Sequence, residues 1–260
     1  MPDPDQGRHG QTPPAGVFQK GASSWGIAIR PRAGQSTDMS YKVTLAGETL
    51  IARPSGALFW PARGVLCVAD LHLGKSERMA RRAGTLLPPY ETRDTLRRLE
   101  AEIAATGAGG VICLGDSFDD VASLDGLEGE DREGLIRLVT GHDWLWIAGN
   151  HDAGPLNIVG RHQAEAQIGP LWFRHIAEPQ KTFEISGHFH PKLRLAGTAW
   201  PCFLADAARV ILPAFGTYTG GLWTHDPALC RIMAPEAIAV LCGGASARAI
   251  PMPRKNARQR

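Results

Sequence analysis

Four short apolar runs in this chain each stop abruptly on residues that can bind a metal or move a proton. "GVLCVAD" stops at Asp70, "GGVICLGD" at Asp116, "WLWIAGNHD" at Asn150, His151 and Asp152, and "TFEISGHFH" at His188 and His190. Runs of this length, rich in Val and Ile and bounded by glycine, predict strands buried on both faces. Between the first two, "PPYETRDTLRRLEAEIAATG" sets Leu96, Leu99 and Ile103 on one helical face, with prolines before it and Gly107 after it. "EDREGLIRLV" is a shorter helix candidate between the second and third runs. This alternation predicts an α/β sheet with some parallel pairing. Ligands of such sheets gather at the carboxyl ends of strands, where all these polar residues fall.

The flanking sequence has a different texture. "YKVTLAGETLIAR" and "ALFWP" before the first run, and "KLRLAG", "PCFLADAARVILPAF" and "IAVLCG" after residue 190, read as strands joined by short turns. The expectation is one β-rich, helix-flanked sandwich over 41–250, a span long enough for one substantial core. Residues 1–40, rich in Pro, Gly and Gln, are expected to be a disordered extension, with Met1 and Met39 both open as the start. Residues 251–260 form a basic tail.

Composition excludes several classes. A net charge of +2 is too small to argue for nucleic acid by itself. No segment approaches the roughly 18 apolar residues of a membrane span, so no membrane partner is expected. Five cysteines without Cys-x-x-Cys spacing argue for free thiols in a reducing cytoplasm rather than disulfides or a zinc site.

The stretch "LCVADLHLGKS" contains Gly74-Lys75-Ser76, the end of a phosphate-cradling loop. Such a loop needs a glycine where this chain has Ala69, and Asp70 would place an anion inside the cradle. Asp70 and His72 therefore belong to another site. With Asp116, Asn150, His151, His188, His190 and His175 after the strand-like "LWFR", they make a set of oxygen and imidazole donors without a thiolate. Such donors suit Mn²⁺, Fe or Zn²⁺. His9, His142, His162 and His225 read as ordinary structural histidines.

In order, the chain carries Asp70-Leu71-His72, Gly115-Asp116, Gly149-Asn150-His151-Asp152, His175 and Gly187-His188-Phe189-His190. This series resembles the signature of the calcineurin-like metallophosphoesterases. The resemblance implies a four-layer α/β/β/α sandwich holding two divalent ions. It assigns Asp70, His72, Asp116 and His190 to one ion and Asp116, Asn150, His175 and His188 to the other, with Asp116 as the bridge. It implies that the ions activate a water to attack a phosphoester. His151, not a ligand in that family, is expected to protonate the leaving oxygen. Asp152 either orients His151 or caps a turn.

Three further segments, "RRAGTLLPPYETRDTL", "LGDSF" and "LPAFGTYTGGL", resemble the ligase-associated metallophosphoesterases of the PdeM type. That subgroup implies a Mn²⁺-dependent DNA-repair endonuclease favouring single strands, with an ATP-dependent DNA ligase and a large helicase as partners. Many of its members carry His where this chain has Asp119. Lys75, Arg78, Arg81 and Arg82 could guide a polyanion or form a solvated face. Phe215 and Tyr218 could stack a base or belong to a structural loop. The residues leave the oligomeric state open, a homodimer included. One alternative is a UDP-2,3-diacylglucosamine pyrophosphatase or another small-molecule phosphoesterase. The other is a non-hydrolytic metal-binding partner of a ligase–helicase assembly.

Overall fold

The computed structural model describes residues 39–84, 88–154 and 156–254. The first sheet runs in chain order: β1 (Tyr41–Leu45), β2 (Glu48–Ala52), β3 (Leu58–Trp60), β4 (Val65–Val68), β5 (Gly110–Leu114), β6 (Asp143–Ile147) and β7 (Arg161–Gln163). Strands β1 to β4 are antiparallel, and β4 to β7 are parallel. The second sheet takes β8 (Glu165–Ile168), β9 (Leu171–Arg174), β10 (Glu184–Ser186), β12 (Thr198–Ala205), β13 (Arg209–Ile211), β14 (Ile238–Leu241) and β15 (Arg248–Pro251). Its order is β15-β14-β12-β13-β10-β9-β8, and β11 (Lys192–Leu195) hangs from β12 as a hairpin. The helices are α1 (Lys75–Ala83), α2 (Glu91–Thr106), α3 (Val121–Asp125), α4 (Gly129–Gly141) and α5 (Pro227–Ile232).

Side-chain alternation builds the layers. In β4, Val65 and Cys67 enter the core between the sheets, while Leu66 and Val68 face α2 and α4. Ile112 and Leu114 alternate with Val111 and Cys113 in β5 in the same way, and Leu145 and Ile147 with Trp144 and Trp146 in β6. A strand covered on both faces needs apolar residues at every position, hence the continuous apolar runs. Helix α2 buries Leu96, Leu99 and Ile103 and ends at Gly107, whose φ of 64° reverses the chain. A third cluster joins α5 to the outer face of β12 and β14 through Leu229, Cys202, Leu204 and Ala239. The result is the four-layer α/β/β/α sandwich that the resemblance implies.

Residues 1–38 of the expected extension lie outside the described residues, but the Met39 carbonyl accepts the Ala247 N–H at 2.7 Å, so residue 39 already belongs to the fold. Residues of the expected tail also belong to the fold. Pro251 closes β15, Met252 is buried, and the Arg254 guanidinium donates to the Met233 carbonyl at 2.7 Å. Residues 255–260 lie outside the described residues. All five cysteines are free; burial pushes the Cys242 thiol up to about 12. No helix among the described residues is long and apolar enough to cross a membrane.

Candidate metal centre

Once β4 and β5 end, their following loops stay zipped together. Asp70 N–H donates to the Gly115 carbonyl at 3.2 Å, His72 N–H to that of Asp116 at 3.0 Å, and Leu73 N–H to that of Ser117 at 2.9 Å. The chain must bend sharply to turn its polar side chains to one place. Asp70, His72, Asp116, His188 and His190 all have φ between 45° and 69°. Left-handed backbone costs a non-glycine residue roughly 1–2 kcal/mol, and such strain concentrates at functional sites. Gly149 is needed for closeness instead: a Cβ there would lie 2.1 Å from Asp116 N and 2.2 Å from its Oδ1.

Three groups of donors result among the described residues: Asp70, His72 and His190; Asp116, His175 and His188; and His72, Asp119 and His151. The first two, which hold the expected ligands, adjoin at His175, whose Nε2 is 3.2 Å from Asp116 Oδ2 and whose Nδ1 is 3.8 Å from Asp70 Oδ1. His175 Nδ1 donates to the Leu114 carbonyl at 2.8 Å, which leaves Nε2 as the lone-pair nitrogen. His72 Nδ1 is held by Asp119 Oδ1 at 2.8 Å, and its buried Nε2 has no hydrogen-bond partner. His190 Nε2, buried and 3.2 Å from Asp70 Oδ1, makes no hydrogen bond either. Buried ring nitrogens without a hydrogen-bond partner suit cation ligation. The hard and borderline donor chemistry fits a divalent ion.

The electrostatics agree. Burial would raise the Asp116 carboxyl, but the His175 imidazole and the His151 N–H outweigh it and hold it well below the usual range. Burial would likewise lower His175, yet Asp116 and Asp70 raise it. Burial and the neighbouring His175 lower His188. Asn150 sits exposed in the turn after β6, between Gly149 and His151, whose N–H donates to Asp116 Oδ1 at 2.9 Å.

Asp152 does not orient His151. Its carboxylate accepts the N–H groups of Asp116 (3.1 Å), Ser117 (2.7 Å), Phe118 (3.3 Å) and Gly149 (2.9 Å). It ties the β5 and β6 loops together through backbone N–H groups that precede it in the chain. Asp152→Ala should cost about 3 kcal/mol or more, because buried N–H groups lose a charged acceptor; urea unfolding checks this. The orienting group for His151 is the Asp119 carbonyl, which accepts from Nδ1 at 2.8 Å.

Asp119 is the residue that sequence reasoning undervalued. It is fully buried, holds His72, and pairs with Arg78 and, at 3.7 Å, with Lys75. Burial opposes its ionisation, but His72, Arg78 and Lys75 bring it down to about 2, so it stays a carboxylate at neutral pH. Asp119→Ala should weaken metal binding about 10–100-fold, the usual effect of removing a group that orients a ligand; metal titration of the purified variant measures it.

The cations of α1 do not form an open basic face. Lys75 and Arg78 are engaged by Asp119. Arg81 pairs with Glu77 at 2.9 Å and Asp120 at 3.1 Å, and Arg82 pairs with Asp120 at 2.9 Å. The Gly74 and Ser76 N–H groups donate to Thr92 Oγ1 and Glu91 Oε1, so the protein's own oxygens occupy that would-be phosphate cradle. Phe215 is buried under Arg98, and the Tyr218 ring packs against Tyr90 with centroids 5.9 Å apart. Their glycine-rich loop is structural: Phe215 N–H donates to the Ala69 carbonyl at 2.8 Å and Gly216 N–H to that of Asp70 at 3.1 Å.

No protein-family model and no curated protein matches the chain. Among solved structures it is similar to the Pseudomonas putida nuclease MPE, at 30% identity and a TM-score of 0.60, over 78% of this chain and 97% of that one. YfcE, a phosphoesterase from E. coli, is a distant match at 11% identity and a TM-score of 0.35, over 73% of this chain and 99% of that one.

Proposed function

The chain belongs to the metallophosphoesterase family of the Pseudomonas putida nuclease MPE, and on that premise we propose that it is an endonuclease hydrolysing DNA, preferentially single-stranded, with two divalent ions. Mn²⁺ is the first choice of ion, with Fe or Zn²⁺ also fitting the donors. The observation that carries the reading is the adjacency of the two donor groups, joined at His175. Asp70, His72, Asp116 and His190 would hold one ion, and Asp116, Asn150, His175 and His188 the other. When bound, such ions polarise the phosphoryl oxygens and let water attack in line near neutral pH.

The remaining work falls to the chain itself. The His151 N–H fixes Asp116 Oδ1 in orientation. Asp119 fixes His72 so that Nε2 faces the site as a lone pair. His151, with Nδ1–H committed to the Asp119 carbonyl, has Nε2 free to carry the proton for the leaving oxygen. The repair setting, with a DNA ligase and a helicase as partners, rests on the likeness of the sequence to the PdeM type.

The small-molecule alternative needs an acyl site at this centre. An apolar cavity of about 430 Å³ lies against α4, lined by Leu124, Leu135, Ile136 and Val159 among others, and no donor of either group lines it. The test is a Mn²⁺-dependent assay offering single-stranded circular DNA and UDP-2,3-diacylglucosamine. Linearised circles are expected, since only internal cleavage opens a circle. Intact circles with rapid turnover of the lipid precursor would reverse the assignment.

A further inference from the structure

We propose that the cavity beside His190 seats the DNA strand adjoining the scissile phosphate, with Lys192 on its wall and Arg194 farther along the same strand as phosphate contacts; this rests on the DNA reading above. The cavity measures about 390 Å³ and is lined by His190, Lys192, Arg98, Trp200, Ser55 and Thr219 together with glycine-rich backbone. No carboxylate lines it. That volume is in the range of sites that seat a nucleotide-sized ligand, and its His190 wall belongs to the metal centre.

Charge accounting selects the contacts. Every cation of α1 faces a carboxylate, and Arg98 is answered by Asp94 at 3.1 Å. Lys192 and Arg194 differ. Among the described residues no carboxylate lies within ion-pair distance of either. They stand two apart on β11 and share one face, with buried Leu193 between them anchoring the hairpin. Lys192 Nζ lies 4.8 Å and Arg194 Cζ 5.3 Å from the centre of the Trp223 ring. A ring face attracts a cation through its quadrupole but carries no net charge. Trp223 therefore positions both cations and leaves them uncompensated.

The platform is fixed to the metal centre by backbone. Leu222 N–H donates to the Phe189 carbonyl at 3.0 Å, Lys192 N–H to that of Leu222 at 2.9 Å, and Thr224 N–H to that of Lys192 at 2.9 Å. The chain thus runs from the donor His190 to Lys192 and Arg194 without slack. A monoester bound at the metals has no use for charges beyond them. A strand carries a phosphate at every nucleotide, and its next phosphates would leave the metals along this face.

The test compares wild type, Lys192→Ala and Arg194→Ala, the last at an exposed position where folding is not at stake. Anisotropy of a labelled single-stranded oligonucleotide in EDTA reads binding without cleavage. Each variant should bind several-fold more weakly and lose about 0.7 from the magnitude of the salt slope, the value of one released counterion. In Mn²⁺, DNA cleavage should fall about tenfold relative to hydrolysis of bis(p-nitrophenyl) phosphate. Wild-type affinity and slope in both variants overturn the proposal. So does an equal fall on DNA and on the small diester, which would mark a disturbed metal centre. A wild type that hydrolyses the small diester but leaves DNA intact refutes the DNA reading instead, and the anisotropy arm then decides the cavity by itself.

Discussion

Asp116→Asn is expected to lower phosphodiester hydrolysis by about 10³-fold or more, the loss of several kcal/mol of charge stabilisation at a two-ion site. The substitution preserves shape. Asn can still accept the His151 N–H that now reaches Asp116 Oδ1 at 2.9 Å. What it removes is the negative charge shared between the donor groups, which the His175 contact at 3.2 Å marks as their junction. Metal analysis and steady-state rates on the same preparation separate the outcomes. Reduced metal content with near-background activity agrees with a bridge, whereas full activity would sink the two-ion mechanism.

His151→Ala is expected to cut turnover by about 10²–10⁴-fold, the range of a single general acid, while metal content stays close to wild type. The imidazole belongs to neither group of expected ligands, although it stands with His72 and Asp119 in a third donor group, and its Nδ1 is committed to the Asp119 carbonyl. The deficit should depend on the leaving group. An alkoxide of DNA needs a proton far more than p-nitrophenolate does, so bis(p-nitrophenyl) phosphate should recover much of the loss. A variant that loses its metals would instead make His151 a ligand, and an equal loss on both substrates would deny it the proton transfer.

Much of the fold was legible because strand burial is a local property. Three parallel strands covered on both faces must be apolar throughout, and "GVLCVAD", "GGVICLGD" and "WLWIAGNHD" are. Helix α2 announced itself through Leu96, Leu99 and Ile103. The elements that escaped are short or polar. Strands β7, β8 and β15 carry exposed charged residues at alternate or terminal positions, and α1 has charged residues at most of its positions. Neither supplies the apolar period on which sequence reading depends.

The donor set of the site was legible too, since metal chemistry dictates residue type and the ends of strands dictate place. The sequence by itself placed oxygen and imidazole donors at the carboxyl ends of β4, β5, β6, β9 and β10. Only the tertiary structure decided which atoms remain available. His72 Nε2 is a free lone pair because Asp119, 47 residues away, holds Nδ1. Asp152 serves backbone N–H groups more than 30 residues distant instead of its neighbour His151. The basic run of α1 is paired with Asp119 and Asp120, while Lys192 and Arg194, unremarkable in sequence, lie over the Trp223 ring with no carboxylate partner among the described residues. Charge and lone-pair availability depend on partners remote in the chain, so residue type alone does not fix them.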